Sequence, residues 1–220
     1  STENLMQIIT VTCSKRQHMW TNVIENILRQ TRRPDGAVLV YHKCPGSGVD
    51  AFLKTMHTLG IRTVEAITGN DSWGLPAMCD HAFNWAAPII TGDGLLCQMD
   101  DDDWYGPEYL AEAESALTKF PEAAIIGKYN YSIRWLDSRG IRTHIAVPGP
   151  HPYPHRVPSV AGPTVALSAQ FWRNNPSFRF DPKAYWADVS IIMAAHSLGG
   201  CIITTGPDNF FLQRYPIEHE

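Results

Sequence analysis

The sequence predicts an α/β fold, a mostly parallel central sheet with helices on both faces. Three observations predict it. Apolar strand-like runs alternate with segments of helical spacing from residue 5 to residue 127. Glycine and proline punctuate many of the changes between them. Four consecutive carboxylates, Asp100 to Asp103, follow directly on the apolar run Leu95-Leu96-Cys97-Gln98-Met99. A polar site there matches the C-terminal edge of a buried parallel strand, where such sheets bind ligands.

Leu5 to Thr12 reads as the first buried strand. Met19 to Gln30 follows with Trp20, Val23, Ile24, Ile27 and Leu28 at helical spacing, and Pro34 and Gly36 stop it. Ala37 to Tyr41 is the second strand, and Gly46 and Gly48 open a loop. Val49 to Leu59 is a helix and Ile61 to Ala66 a short strand. Leu75 to Ala86 is a helix, and Gly94 to Met99 is the strand that delivers the acids. Tyr109 to Phe120 is a helix and Ala123 to Gly127 another strand. Ser14-Lys15-Arg16, His42-Lys43 and the four Asp all follow strands on one edge, so they can converge although they are far apart in sequence.

Composition excludes several classes. The 220 residues are 44% apolar, enough for a core, yet no apolar run approaches the ~20 residues that span a bilayer. Ser1 to Asn4 is polar and does not resemble a signal peptide. The net charge of −4 gives no overall electrostatic footprint for nucleic acid. The five cysteines are an odd number without a Cys-x-x-Cys pair, which argues against zinc and a disulfide framework and fits a reducing cytoplasm. Cys13 and Cys97 lie in apolar stretches and read as small core residues.

Runs of like charge repel and are usually left in water. Acids gathered at a strand end instead call for a cation, and hard oxygen ligands suit Mg²⁺ or Mn²⁺ better than Zn²⁺. The competing reading is a solvated acidic turn that caps the next helix, although a cap needs one Asp rather than four. Residues 144 to 163 hold His144, His151 and His155 among six prolines. Such proline density forbids a helix or a central strand and predicts a long loop over a site. The histidine spacings match no strong metal motif.

The order of features then resembles a known family. Ile8-Ile9-Thr10-Val11-Thr12 is followed by Ser14-Lys15-Arg16 and a helix ending Leu28-Arg29-Gln30-Thr31. Gly74 to Asp80 comes next, then Gln98-Met99-Asp100-Asp101-Asp102-Asp103-Trp104-Tyr105-Gly106-Pro107-Glu108-Tyr109-Leu110. Ala161-Gly162-Pro163-Thr164, Phe178-Arg179-Phe180-Asp181 and Trp186-Ala187-Asp188 follow. The pattern resembles the inverting nucleotide-sugar glycosyltransferases of the large family-2 group. The resemblance implies a GT-A-type nucleotide-diphospho-sugar transferase fold. It implies a single domain over 1–220, with a nucleotide-sugar-binding half at 5–127 and an acceptor-binding half at 128–220.

The resemblance also implies roles. Asp100 and Asp102 form the Asp-x-Asp motif, and Asp103 and His219 are further metal-ligand candidates. Thr12, Ser14, Arg16, Tyr41, His42, Asp80 and Asp101 are candidates for binding the donor. Asp188 stands where the family has its catalytic base; taken alone it reads first as the N-cap of a helix from Val189 to His196, and the preceding Phe180-Asp181 and Trp186 raise the base reading to at least its equal. The chemistry needs these groups: a divalent ion neutralises the diphosphate leaving group, and a carboxylate takes the proton of the acceptor hydroxyl. Two positions depart from the pattern. Tyr41-His42-Lys43 replaces the usual Asp after the second strand, and Cys79-Asp80 replaces an Arg-Asn in the third helix.

The expected activity is metal-dependent hexosyl transfer from a nucleotide-sugar, with inversion, to a saccharide or to a hydroxymethylated base in DNA. The second acceptor comes from the resemblance, since small transferases of this type also modify DNA bases; the mixture of aromatics and cations in Tyr129, Tyr131, Arg134, Trp135, Arg139, Arg142, His144, His151, His155, Arg156, Trp172 and Arg173 suits base and sugar stacking equally. A nucleotidyltransferase is the rival enzyme, but Gly46-Ser47-Gly48 is short and lacks the Lys that grips a triphosphate. A non-catalytic sugar- or nucleotide-binding domain is the rival outside enzymes.

Overall fold

A computed structural model describes residues 6–137, 140–146 and 160–214. The first half builds the frame. It runs β1 (Gln7–Ser14), α1 (Trp20–Arg29), β2 (Gly36–Tyr41), α2 (Val49–Thr58), β3 (Thr63–Thr68), α3 (Leu75–Ala86), β4 (Gly94–Gln98), the short β5 (Trp104–Tyr105), α4 (Tyr109–Lys119) and β6 (Ala123–Lys128). The second half adds β7 (Tyr131–Asp137), β8 (Gly140–Ala146), β9 (Ala166–Ser168), α5 (Ala169–Asn174), α6 (Ala187–Ser197), β10 (Cys201–Thr205) and β11 (Phe210–Arg214).

Seven strands form the central sheet in the order β10-β6-β9-β4-β1-β2-β3. All pair in parallel except β9, which runs antiparallel to both β4 and β6. The second half of the chain thus supplies two strands to the sheet begun by the first. A smaller sheet, β5-β11-β7-β8, stands beside the acid turn.

Side-chain alternation along the strands divides the core in two. Ile9, Val11, Val38, Val40 and Leu96 face one layer, covered by Met78, Ala82 and Phe83 of α3, Trp172 of α5 and Ile191 of α6. Ile8, Leu39, Leu95 and Cys97 face the other, covered by Trp20, Val23 and Ile27 of α1, Phe52 and Met56 of α2, and Leu110 of α4. Each fully buried Val, Leu or Ile contributes about 1.5–3 kcal/mol, so the apolar stripe of α1 is enough to seat it. Local signals set the ends. Gly74 and Pro76 start α3. Gly60 at φ +81° closes the turn after α2. The Ser168 hydroxyl caps α5 by accepting from the Phe171 N–H at 3.2 Å.

The predicted helices of the first half agree with the structure to within a residue at each end, and α3 to the residue. The strands differ more. β1 continues to Ser14 because β2 offers Tyr41 as its partner. β3 begins at Thr63 rather than Ile61, which is buried as an apolar anchor ahead of the strand. The loop expected from residue 144 is corrected at its start: His144 lies within β8, paired with Ile133 of β7. The prolines begin only at 148 and leave the preceding residues free to pair. Residues 147–159, with His151, His155 and Arg156, lie outside the described residues. Cys97 is buried as expected, whereas Cys13 is half-buried and reaches the site. Among the described residues no helix is long and apolar enough to cross a membrane.

Candidate active site

The acid turn is held by α1 and by the second sheet. Asn22 Nδ2 donates to the carbonyls of Asp101 and Asp103 at 2.8 and 2.9 Å. Asn26 donates to the Asp103 carbonyl at 2.8 Å and accepts from the Tyr105 N–H at 3.1 Å. Gln30 is buried, donates to the Gly106 carbonyl at 2.8 Å and accepts from the Leu110 N–H at 3.1 Å. The helix ending in Gln-Thr is therefore a clamp that joins α1, the turn and α4. On the other side the Asp103 carboxylate accepts from the Gln213 N–H of β11 at 2.8 Å.

Asp100, Asp102 and Asp103 each bring one carboxylate oxygen within 4.8 Å of the others. Asp100 accepts from Gln98 at 2.8 Å. Burial, and then the charges of Asp102 and Asp101, push its carboxyl up to about 7 against the pull of that hydrogen bond and of Arg16. Three oxygens gathered with excess negative charge fit a hard divalent cation. Asp101 is different. It is buried, accepts from Ser14 Oγ at 2.6 Å and takes both Nε and Nη2 of Arg16. Arg16 also pairs with Asp102 at 3.0 Å. Burial opposes the guanidinium charge, but these carboxylates outweigh it and hold it firmly protonated.

Asp188 enters from α6. It sits in the first turn of the helix, whose N-cap is Trp186, and no side chain caps that end. The cap reading of Asp188 is thereby removed. Its carboxylate packs on the bare backbone of Gly162: a Cβ built there would lie 3.1 Å from Oδ2. Gly162 belongs to a short turn whose next residue, Pro163, accepts a hydrogen bond from Tyr105 Oη at 2.8 Å. The same Tyr105 oxygen accepts from the Asp100 N–H at 2.8 Å. One fully buried tyrosine thus connects the acid turn to the backbone against which Asp188 rests.

Asp100, Asp102, Asp103 and Asp188 all open onto one cavity of about 670 Å³, which Ser14, Lys15, Arg16, His42 and Lys43 also line. No family model and no curated protein matches the chain. Solved structures do. The chain overlays S. aureus TarS 1-349 in complex with UDP-GlcNAc with a TM-score of 0.65 at 15% identity, over 97% of this chain and 60% of that one. GalNAc-T7 with UDP, GalNAc and Mn²⁺ gives 0.62 at 13% identity, over 97% and 44%. The mannosyltransferase PcManGT from Pyrobaculum calidifontis in complex with GDP-Man and Mn²⁺ gives 0.62 at 14%, over 94% and 56%. The chain carries the GT-A fold. It spans between 44% and 60% of the length of these three chains.

Within the GT-A frame the donor candidates separate. Ser14, Arg16 and His42 line the cavity. His42 is buried, its Nδ1 lacks a hydrogen-bond partner, and burial followed by Lys43 and Lys15 lowers its pKa, so the ring is held neutral. Thr12 is buried and its hydroxyl donates to the Met99 carbonyl at 2.8 Å, a structural tie. Tyr41 packs edge-on against Trp20 and its hydroxyl accepts from Thr68 at 2.8 Å. Neither Thr12 nor Tyr41 is among the cavity-lining residues. Asp80 also stands outside the lining; Asn84 donates to its Oδ2 at 3.1 Å, and burial raises its pKa. His219 lies outside the described residues.

The expected acceptor side separates too. Tyr129 and Tyr131 line the cavity. Trp172 is core, and Arg173 donates to the carbonyls of Ile90 and Gly92. Arg134 stacks over Phe211 at 4.3 Å. Three further aromatics line the cavity: Trp73, Tyr185 and Trp186. Sequence reasoning missed Tyr185, and missed the tie made by Tyr105. The available signal for Tyr105 was a tyrosine, rather than a phenylalanine, in an otherwise apolar stretch after the acids. For Tyr185 it was a pair of large aromatics two residues before the candidate base.

Proposed function

We propose that this protein transfers a hexose from a nucleotide-diphosphate sugar to a saccharide hydroxyl, with inversion at the anomeric carbon. The observation that carries the reading is the shared cavity: the acid cluster at the end of β4 and the carboxylate of Asp188 on α6 open onto the same space. Its volume of about 670 Å³ suits a ligand of nucleotide-sugar size. The ligands named for the structural neighbours, UDP-GlcNAc and GDP-Man with Mn²⁺, support the donor class.

Asp100, Asp102 and Asp103 are the residues that would hold Mn²⁺ or Mg²⁺. Such an ion neutralises charge on the diphosphate as it leaves. Lys15, Lys43 and Arg16 add positive charge on the same wall. His42 offers a neutral ring nitrogen to the nucleobase. Asp188 Oδ2 takes the proton of the attacking hydroxyl, and its place against Gly162 fixes its direction. A single displacement with one base forms no sugar–enzyme bond, hence the inversion.

The saccharide acceptor is favoured over DNA because the net charge of −4 gives no overall electrostatic footprint for nucleic acid, and because Arg173, one of the cations that suggested phosphate contacts, donates instead to backbone carbonyls. Incubation with UDP- and GDP-sugars, Mn²⁺ and saccharide acceptors tests the proposal. Nucleoside diphosphate should be released with an inverted glycoside, and EDTA should stop the release reversibly. Pyrophosphate release would make the protein a nucleotidyltransferase. Donor binding without turnover for any acceptor would make it a binding domain. Transfer to hydroxymethylated DNA but to no saccharide would reverse the acceptor assignment.

A further inference from the structure

A second concavity adjoins the cavity. It is bounded by Asp181, Ala184, Val189, Ser190 and Met193, and it has a volume of about 540 Å³. Two residues belong to both spaces, Tyr185 and Trp186. They are among the most exposed large aromatics of the described chain, at 86% and 53%. Their rings stand nearly perpendicular, with centroids 4.8 Å apart. Met193, about two turns further along α6, is 42% exposed and extends the apolar floor. An exposed patch of this kind is costly unless something uses it.

The geometry points to an extended acceptor site: the protein binds a linear saccharide of at least two rings, one in the cavity beside Asp188 and the next across Trp186 and Tyr185 toward Met193. The proposal rests on the transferase reading for which end of the chain reacts. Three features select a saccharide. A pyranose ring shows C–H faces to an aromatic surface and hydroxyls at its edge, and Tyr and Trp provide an apolar body with a polar tip. Among the described residues the groove is lined by one carboxylate, Asp181, and by no Lys or Arg, a lining ill-suited to a phosphate backbone. It is also continuous with the cavity through Trp186, which lies two residues before Asp188 and sets the start of α6. A chain passing from groove to cavity is therefore led toward the carboxylate.

Binding is read without turnover, so failure here is distinct from failure of the transferase assignment. The probes are β-1,4-linked N-acetylglucosamine and α-1,4-linked glucose, each from one ring to four, titrated against the protein with the Trp186 indole and Met193 methyl signals followed by NMR. At least one series should bind roughly tenfold more tightly at three rings than at one, with both signals moving. Met193→Arg should remove this dependence on length. Leu198→Arg, on the exposed end of the same helix outside the groove, should keep it. A flat response to length in both series overturns the proposal, as does a length dependence that survives Met193→Arg in folded protein. The direct signals of the unmodified protein decide the matter if Met193→Arg does not fold. Concentration-dependent movement of the same signals without saccharide, and no response to saccharide, would assign the groove to a second copy of the chain and also overturn it.

Discussion

Arg16 Nη2 lies 3.0 Å from Asp102 Oδ2, so a guanidinium stands at one of the three acids that would hold a divalent ion. The same side chain pairs with Asp101, which Ser14 also fixes. Arg16 and an ion therefore compete for Asp102 while Asp101 keeps Arg16 close to the site.

Arg16→Gln should separate the two roles. Without its competitor, Mn²⁺ alone should bind several-fold more tightly, read by the loss of free Mn²⁺ signal in electron paramagnetic resonance. The donor KM should rise, because a cation facing the diphosphate is lost. The metal-free protein should also lose stability, by about 1.5–3 kcal/mol, since among the described residues the buried Asp101 then keeps the Ser14 hydroxyl but loses its charged partner. Weaker Mn²⁺ binding in Arg16→Gln would contradict the competition.

Asp100 makes the site sensitive to pH. Its folded-state value of about 7 lies above the usual 3.8 of a free Asp, so the folded metal-free protein holds this proton more tightly than the unfolded chain. Metal-free stability should fall as pH rises from about 4 to 7, and Asp100→Asn should abolish most of that slope. Metal binding requires the carboxylate, so Mn²⁺ affinity should weaken by up to about tenfold per unit below pH 7. Calorimetric titration across pH 5.5–8 checks both. A Mn²⁺ affinity independent of pH over that span would remove Asp100 from the ligands.

Tyr105 is the tie between the two halves of the site. Tyr105→Phe leaves the Asp100 N–H and the Pro163 carbonyl without their 2.8 Å partner. Two part-buried backbone groups left unpaired cost about 1–3 kcal/mol each at most, and water entering from the cavity offsets part of it. Urea unfolding should show a loss within that range. The kcat should fall, because the link runs both to the acid turn at Asp100 and to the backbone beneath Asp188. Unchanged kcat with lowered stability would make Tyr105 a packing residue only.

The parts of this fold set by local patterning were legible in the sequence. The five-strand, four-helix frame of the first half follows from periodicity and from Gly and Pro, and the acid run located the strand edge that carries the site. What was not legible depends on long-range pairing. β9 inserts between β4 and β6 against the direction of both, and three residues carry no periodicity to announce it. The second sheet joins Trp104-Tyr105 to β11, more than a hundred residues later. The committed state of Thr12 and Arg173 was equally hidden, since a polar residue reads the same whether it faces a ligand or a backbone carbonyl.

Asp188 and Gly162 test the chemistry most sharply. Asp188→Asn keeps the shape of the side chain and its packing on Gly162 but cannot take a proton. Transfer should drop by at least about 10²-fold, the scale of a lost general base, while Mn²⁺ and donor binding stay near normal. Gly162→Ala keeps the carboxylate and disturbs its place: the new Cβ would meet Asp188 Oδ2 at 3.1 Å, so the acid must give by a few tenths of an ångström. It should lower kcat roughly tenfold or more with donor KM little changed, since misplaced groups lose rate before they lose binding. Product anomeric configuration, read by proton NMR, should be inverted in the unmodified protein and in what Gly162→Ala still makes. Ordinary turnover in Asp188→Asn, or retention of configuration, would leave Asp188 without this role.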